Sequence, residues 1–356
     1  MKKIAYIEID THAEIAQDFM DVMSGSEEFS VDYYFSEKIK KQMRENSESV
    51  YLSDSSTIVD QLKDKKYDLI MIGTVHRYFN TFLAITRQYN TSVIIHNLNF
   101  SRISKLNLIK NIFKEEVMYR LKLWWKEGLF YSSKVYQNAK NLLVLDEEMS
   151  SENLLFLPLF YTKNSEKTKN KFFTIVIPGS VSQNRRDYNK IIDKISELEI
   201  SLKKGSRPKD QLIEFIFLGK AKGKELKKIT DLERTLNHID IQYFSDRVSS
   251  EIFDEWMRKA DVLWCPIQKE TEFFSQREIY GKTKMTGNLG DAVTYGKPAV
   301  FPENYTSKLE FIIPEKENIL DQFQEMENFT FDFEEKYSKE KIQNNLEAVL
   351  HQLIST

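Results

Sequence analysis

Apolar residues along this chain come in short runs, separated by longer stretches with helical spacing. In the first half the runs are residues 3–9, 31–35, 68–72, 92–96 and 141–145, each with the length of one buried strand. Between them, residues 13–23, 56–65 and 79–88 repeat apolar positions at the interval of one helix face. A long helical region spans 103–138, and residues 67–73 (YDLIMIG) read as a buried parallel strand ending in a glycine turn. Residues 163–171 (KNSEKTKNK) are polar, charged and without period, which is the character of an interdomain linker.

The alternation then restarts. Strands are expected at 173–177, 214–218, 241–243, 262–265 and 299–301, and helices at 188–198, 224–236, 249–259 and 288–295. Residues 339–354 place Ile342, Leu346, Val349, Leu350 and Leu353 on one face, a packed terminal helix. Alternating strands and helices build parallel sheets with crossover helices, so the fold class is α/β with two successive doubly wound domains. The boundaries expected are 1–162, a linker at 163–171, 172–338, and a terminal helix at 339–356. Ligands of such sheets bind outside the carboxyl ends of the strands, so a cleft between facing domains is the expected site. There is no internal repeat of fixed period.

Composition narrows the classes. At 356 residues the chain exceeds what one core usually supports. With 41% hydrophobic and 29% charged residues it has the profile of a globular protein rather than a disordered one. A net charge of −3 argues against a nucleic-acid partner, because phosphate binding needs a basic surplus. Cys265 is the one cysteine, so neither an internal disulfide nor a thiolate metal site can form. The apolar start, Ile4 to Ile7, is interrupted at once by Glu8 and Asp10 and reads as a first strand rather than a leader. No apolar run reaches the roughly 20 residues that span a bilayer. A cytoplasmic protein is expected, with a peripheral contact at the inner face of the membrane still open.

The second half holds an ordered series of chemistry-bearing residues. Residues 246–251 (DRVSSE) lead into a helix, followed by 260–266 (ADVLWCP), then 278–284 (EIYGKTK) and 290–300 (GDAVTYGKPAV). This series, over roughly 240–302, resembles the C-terminal domain of the family-4-like (group 1) GT-B glycosyltransferases. There a strand ending in Pro precedes an acidic–aromatic–glycine motif, an acidic-Ala helix start and a Gly-x-Pro-x-Val strand. The resemblance implies two Rossmann-like domains facing a cleft, the first on the acceptor side and the second binding a nucleotide-sugar. It implies transfer of a sugar to a glycan, a lipid-linked molecule or another acceptor, with the nucleotide-sugar as co-substrate and no separate cofactor.

A nucleotide-sugar presents two phosphates, a ribose diol and a sugar, and its departing diphosphate gains charge that must be neutralised. Helix amino termini with nearby glycines supply amide donors and a favourable dipole for that purpose. Lys282, Thr283 and Lys284, after Tyr280 and Gly281 and ahead of Gly287 and Gly290, are candidates for such a cradle. Arg185 and Arg186 follow the turn at Pro178, Gly179 and Ser180, and Lys220 follows Gly219. In the related family, basic residues at these two strand ends contact the diphosphate. Arg185 and Arg186 can equally be solvated loop charge. Asp291 falls at the family's ribose-binding acid, and Glu278 corresponds to the acid near the donor sugar. The pair stands farther apart here than in the family, which leaves the retaining outcome open.

In the first half, residues 93–98 (VIIHNL) resemble the family's strand-end His-Asp/Asn, which makes His96 the catalytic candidate together with Glu278. His12 and His76 follow other strands and are acceptor-side candidates. Residues 105–126 combine Lys105, Lys110, Lys114, Arg120, Lys122 and Lys126 with Phe113, Tyr119, Trp124 and Trp125. That composition suits either peripheral contact with an anionic membrane or a core-packing helix with a solvated basic face.

Other chemistries lack their motifs. No Gly-x-Gly-x-x-Gly follows a strand, no Gly-x-x-x-x-Gly-Lys-Ser/Thr occurs, and neither Asp-x-Asp nor His-Glu-x-x-His is present. A metal-independent reaction is therefore expected. Two alternatives to transfer remain: a nucleotide-sugar 2-epimerase, or a non-catalytic nucleotide-binding paralogue that supports a partner transferase.

Overall fold

The computed structural model describes residues 1–44, 49–163, 172–204 and 212–355. In chain order the strands are β1 (Lys2–Glu8), β2 (Phe29–Phe35), β3 (Val50–Leu52), β4 (Leu69–Ile72), β5 (Thr91–Ile94), β6 (Asn141–Val144) and β7 (Leu155–Phe156). They continue as β8 (Phe172–Pro178), β9 (Leu212–Lys220), β10 (Ile239–Phe244), β11 (Val262–Trp264), β12 (Glu270–Phe273), β13 (Gln276–Ile279), β14 (Ala299–Phe301) and β15 (Ile312–Pro314). One sheet has the order β3-β2-β1-β4-β5-β6-β7 and another β10-β9-β8-β11-β14-β15. Every neighbouring pair within them is parallel. In both, the order reverses beside the sheet's first strand in sequence, β1 or β8. That is the doubly wound, Rossmann-like arrangement expected from the pattern, present twice.

Local sequence explains most of this. All positions of β4 and β5 are buried, as are Ile4 to Ile7 in β1. A parallel strand covered by helices on both faces sees no solvent on either, so it reads as a continuous apolar run. Helices Ala13–Met23 and Phe79–Gln88 match the periodic stretches. The expected long helical region is instead broken into Lys105–Ile112, Val117–Glu127 and Ser132–Asn138. Breaks fall at Glu116 (φ 46°) and Gly128 (φ 74°). At φ 74° this turn needs glycine's backbone freedom, and a Cβ at Gly128 would in addition have to displace the Asn80 side chain, whose Oδ1 lies 2.0 Å from its position. The short strands β3, β7 and β15 and the β12–β13 hairpin carry too few residues to show a period.

The chain divides into two compact units, and the division corrects the expected boundaries. The first unit holds Met1–Phe160, Glu272–Met285 and Lys339–Thr356; the second holds Tyr161–Thr271 and Thr286–Ser338. Of the expected linker, residues 164–171 lie outside the described residues, and Lys163 donates its backbone N–H to the Thr294 carbonyl at 2.9 Å within the second unit.

Residues 272–285 join the first unit because their hairpin is fastened to it. At the tip, Phe274 (φ 54°) and Ser275 (φ 52°) both adopt left-handed conformations that non-glycine residues rarely take. Arg120, itself buried, lies 5.2 Å from the Phe274 ring and donates to Ser275 Oγ at 2.8 Å. Phe274 also packs on Phe100, with ring centroids 5.5 Å apart. The apolar contact and the charge-assisted hydrogen bond hold the strained turn in place.

The terminal helix Lys339–Ser355 buries Ile342, Leu346, Leu350 and Leu353, whereas Val349 remains partly exposed. Its end is tied by Asn90 Nδ2 donating to the Leu353 carbonyl at 3.4 Å and by the His351 ring, 4.8 Å from Phe29. Leu346→Ala should therefore cost roughly 2–5 kcal/mol in urea unfolding, and Val349→Ala less than about 1 kcal/mol. Equal losses from the two variants would show that this face does not dock the helix.

Candidate functional site

In the first unit, β1, β4 and β5 end side by side, with Ile7 opposite Ile72 and Ile72 opposite Val93. The residues that follow these strands leave the sheet together, at the reversal of strand order. Glu8 is fully buried there and accepts from Thr74 Oγ1 at 2.6 Å and from the backbone N–H groups of Asp10 and Thr11, each at 3.1 Å. Its carboxylate thus shapes the loop leading to His12. Gly73 is required beside it, since a Cβ would lie 2.7 Å from Glu8 Oε2 and 2.8 Å from Tyr6 Oη.

The three histidines expected at strand ends are brought together. The rings of His12 and His96 stack with centroids 4.1 Å apart and planes 12° from parallel. His76 stands edge-on to both, 5.8 Å from His12 and 5.7 Å from His96. Hydrogen bonds assign the tautomers. His96 Nε2 lies 2.8 Å from the Gly73 carbonyl, which can only accept, so Nε2 carries the proton and Nδ1 keeps a lone pair. Lys284 Nζ donates to Asn97 Oδ1 at 2.6 Å, which turns the Asn97 amide nitrogen toward His76 Nε2 at 3.1 Å. His76 therefore accepts at Nε2 and carries its proton on Nδ1. His12 Nδ1 is 2.8 Å from Glu14 Oε1.

Burial, reinforced by neighbouring His12, pushes the imidazoles of His76 and His96 well below their usual range. Both are neutral at neutral pH. His96 can accept a hydrogen bond from a hydroxyl at Nδ1; its depressed pKa makes it a weak proton acceptor. Among the described residues, no group of three or more His, Cys, Asp and Glu is arranged to hold a metal ion.

Segment 276–285 departs from its expected part. Glu278 is 0% exposed, and its two oxygens accept the backbone N–H groups of Asn99 (3.2 Å) and Phe100 (2.8 Å), at the start of the short helix Leu98–Ser101. Its carboxylate holds the loop after His96 in place, a positioning role that differs from the catalytic one expected for it. Of the expected cradle, the backbone N–H groups of Lys282, Thr283 and Lys284 all point to the Ile279 carbonyl, at 3.1, 2.9 and 3.2 Å, which leaves the two lysine side chains as its donors. Thr283 Oγ1 accepts from Ile279 N at 2.8 Å, and the Thr283 carbonyl accepts from Leu98 N at 2.8 Å. Gly281 (φ 74°) makes this tight turn possible, Tyr280 is partly buried beside it, and Lys282 is exposed. Of the group, Lys284 reaches the histidine cluster, through Asn97.

The second unit gathers a separate group at the carboxyl end of β8. Gly179 (φ 99°) and Gly219 touch there: a Cβ on Gly219 would sit 2.1 Å from the Gly179 carbonyl oxygen, and one on Gly179 2.4 Å from Arg186 Nη2. The Arg186 guanidinium thus lies over the glycine turn. Its Nη2 donates to Asn288 Oδ1 at 3.1 Å and its Nη1 to the Ser180 carbonyl at 3.4 Å. Asn288 Nδ2 donates to Asp291 Oδ2 at 3.1 Å and to the Pro178 carbonyl at 3.4 Å. Arg186 Nε is buried and has no hydrogen-bond partner among the described residues.

These contacts set Arg186 at the amino terminus of helix Gly287–Tyr295, which Thr286 caps. A Cβ added to Gly287 would meet nothing within 4 Å, so there is space beside this residue, while the Asn288 and Leu289 N–H groups are taken by Thr286 Oγ1 (3.4 Å) and the Thr286 carbonyl (3.2 Å). A helix amino terminus, with its dipole, beside a guanidinium with an unused donor is suited to an anion. Arg185 and Lys220 are exposed. The helix closes at Gly296 (φ 59°) before β14, as the Gly-x-Pro-x-Val pattern implies.

Asn288 and Thr74 were not singled out in the sequence, Asn97 entered only within the 93–98 motif, and Glu8 only as an interruption of the apolar start. Glu8 left a trace as a carboxylate inside an otherwise apolar strand; Thr74 and Asn288 are ordinary loop or helix-start residues until folding surrounds them.

Comparison with family models finds no match to the sequence, and comparison with curated protein sequences finds none either. Solved structures do match over the whole chain. UDP-GlcNAc 2-epimerase from Neisseria meningitidis, bound to UDP-GlcNAc, superposes with a TM-score of 0.54 at 13% identity, over 99% of this chain and 100% of that one. The N-terminal domain of Candida albicans trehalose-6-phosphate phosphatase gives 0.56 at 10% identity, over 100% and 97%. MnaA of S. aureus in complex with UDP gives 0.50 at 14% identity, over 100% and 98%. At these identities the likeness establishes the fold. The chain has the GT-B fold of two Rossmann-like domains.

Burial raises the Glu8 carboxyl from an ordinary 4.5 to about 7. Between those values the folded state keeps a proton that the unfolded chain releases, so this group's contribution to stability falls as pH rises through the window. Glu8→Gln should remove that slope: from about pH 5 to pH 8 the wild type should lose roughly 2–3 kcal/mol relative to the variant. A constant difference between the two across this range would contradict the buried-proton assignment.

Proposed function

We propose that this protein is a glycosyltransferase that moves a sugar from a nucleoside-diphosphate sugar to a hydroxyl of a glycan or lipid-linked acceptor. The observation that carries the reading is Arg186, with its unpartnered buried Nε, over the Gly179 turn and at the amino terminus of helix Gly287–Tyr295. As the bond between sugar and diphosphate breaks, negative charge grows on the leaving oxygen. A guanidinium and a helix dipole already in place stabilise that charge without reorganising. Asp291, held by Asn288, is the acceptor for the ribose hydroxyls in this reading.

The first unit has a different task. His96 Nδ1, with its lone pair fixed by the bond from Nε2 to Gly73, takes a hydrogen bond from a sugar hydroxyl. The neighbouring His12 and His76 restrict the rotamer of that ring and exclude water from its faces. Lys284 acts through Asn97 to keep His76 in the accepting tautomer.

A second reading has its own support: a whole-chain structural neighbour is a UDP-GlcNAc 2-epimerase. Incubation with UDP-GlcNAc alone separates the two. Appearance of a C2 epimer by NMR without an acceptor would favour epimerisation, while turnover that requires an acceptor would favour transfer.

Calorimetric titration with UDP, and with other nucleoside diphosphates, tests the donor site. Arg186→Ala should weaken nucleoside-diphosphate binding by roughly 1.5–3 kcal/mol with melting unchanged, and Arg186→Lys should recover only part of this. Undiminished affinity in Arg186→Ala would remove the donor site from this turn. His96→Ala should reduce turnover by about a hundredfold while leaving nucleoside-diphosphate affinity intact. Near-normal turnover in a folded variant would take His96 out of the reaction.

A further inference from the structure

Helices Lys105–Ile112 and Val117–Glu127 each carry two apolar stripes, and only one of the two is used by the core. Leu108, Ile112 and Leu123 are buried in the first unit. On the other side Leu106 is 73% exposed, Phe113 64%, Met118 80% and Trp125 91%, with Ile109 at 44%. Leu106, Ile109 and Phe113 follow the spacing of a single helix face, and so do Met118 and Trp125. Large apolar side chains scattered singly over a surface are ordinary; two adjoining helices that each present a stripe of them are not.

The charge around the stripes is equally uneven. Residues 102–126 contain seven basic and two acidic residues, in a chain whose net charge is −3. Lys105, Lys110, Lys114, Lys122 and Lys126 are all exposed. One of the two acids, Glu115, stands 3.7 Å from Arg120, which offsets it. Trp124 packs on Phe130 at 5.0 Å, leaving the neighbouring Trp125 projecting outward. A protein partner that covered the apolar stripes would have to bury these lysines or match them with acids. An anionic bilayer takes both at once, because apolar side chains enter the acyl boundary while lysine stems extend to the headgroups.

We propose that the pair of helices spanning residues 105–127 is a docking surface for an anionic lipid bilayer. Met118, Trp125, Phe113 and Leu106 insert at the interface, and the lysines bind headgroup phosphates. The contact is peripheral, since no helix among the described residues is long and apolar enough to cross a membrane. It does not depend on the chemistry proposed above, and binding can be read without any substrate.

The test is co-sedimentation of the full chain with phosphatidylcholine vesicles, with and without phosphatidylglycerol, across a salt series. Binding is expected only with the anionic lipid and should weaken as salt rises. Exchanging Lys114, Lys122 and Lys126 for Glu should reduce it by roughly a hundredfold or more. Met118→Ser with Trp125→Ser should reduce it by roughly tenfold or more without lowering the melting temperature, since neither side chain is in the core. A blue shift of tryptophan emission on vesicle addition should vanish with Trp125→Ser alone. The proposal is overturned by absence of binding to anionic vesicles at low salt. It is also overturned by binding that the serine variants leave unchanged, or by a lipid-free dimer in sedimentation velocity that those variants dissociate, since a second copy would then be the occupant.

Discussion

A parallel sheet covered by helices on both faces has nowhere to place polar chemistry except at the ends of its strands. In this protein that constraint operates twice. The interiors of β1, β4 and β5 are closed to water, so Glu8, Gly73, Thr74, His76, His96 and Asn97 collect where those strands stop. In the second unit the same rule gathers Gly179, Arg186, Asn288 and Asp291 beyond β8. Because the strand order reverses there, neighbouring loops diverge and leave room for a ligand. Each group is then tuned by its own local chemistry: a neutral imidazole pair in one case, a guanidinium over a glycine turn in the other.

The first group shows how few polar contacts are needed to define protonation. The Gly73 carbonyl can only accept, and the Lys284 ammonium can only donate, so together they determine where His96 and His76 carry their protons. The loop that supplies Lys284 is itself held by Glu278, by the Thr283 carbonyl on Leu98, and by Arg120 at the hairpin tip. A segment distant in sequence is therefore part of the strand-end chemistry of the first unit. Its lysine acts on a tautomer, through an amide, rather than on an anion.

Burial has opposite consequences for the two kinds of titratable group at this place. The Glu8 carboxyl is raised, so its contribution is present at low pH and is lost as pH rises toward and beyond 7. His76 and His96 are depressed, so theirs is fully present above the ordinary imidazole value and is lost as pH falls. The balance makes neutral pH a compromise at this site. Two imidazoles without charge and a carboxyl close to its midpoint are what a low-dielectric pocket selects from these residues.

The sequence by itself determined the architecture. Continuous apolar runs such as those of β4 and β5 and the periodic stretches at Ala13–Met23 and Phe79–Gln88 mark elements by local physics, and their alternation implies two doubly wound domains. It also pointed to the three histidines and to Arg186, since each follows a strand. It did not determine what Glu278 and residues 282–284 do. Their residue types suit a phosphate cradle or a catalytic acid, and only the folded chain shows that their oxygens and amides are already taken. Nor did it assign 272–285 and 339–356 to the first unit, because unit membership depends on which faces are covered in three dimensions. By composition the aromatic residues at 113 and 125 suit either a membrane face or a packed helix, and only tertiary packing shows that the core is filled by other residues of the same helices. Periodicity reports the face of a helix, and hydrogen-bond saturation and burial belong to partners that are remote in the chain.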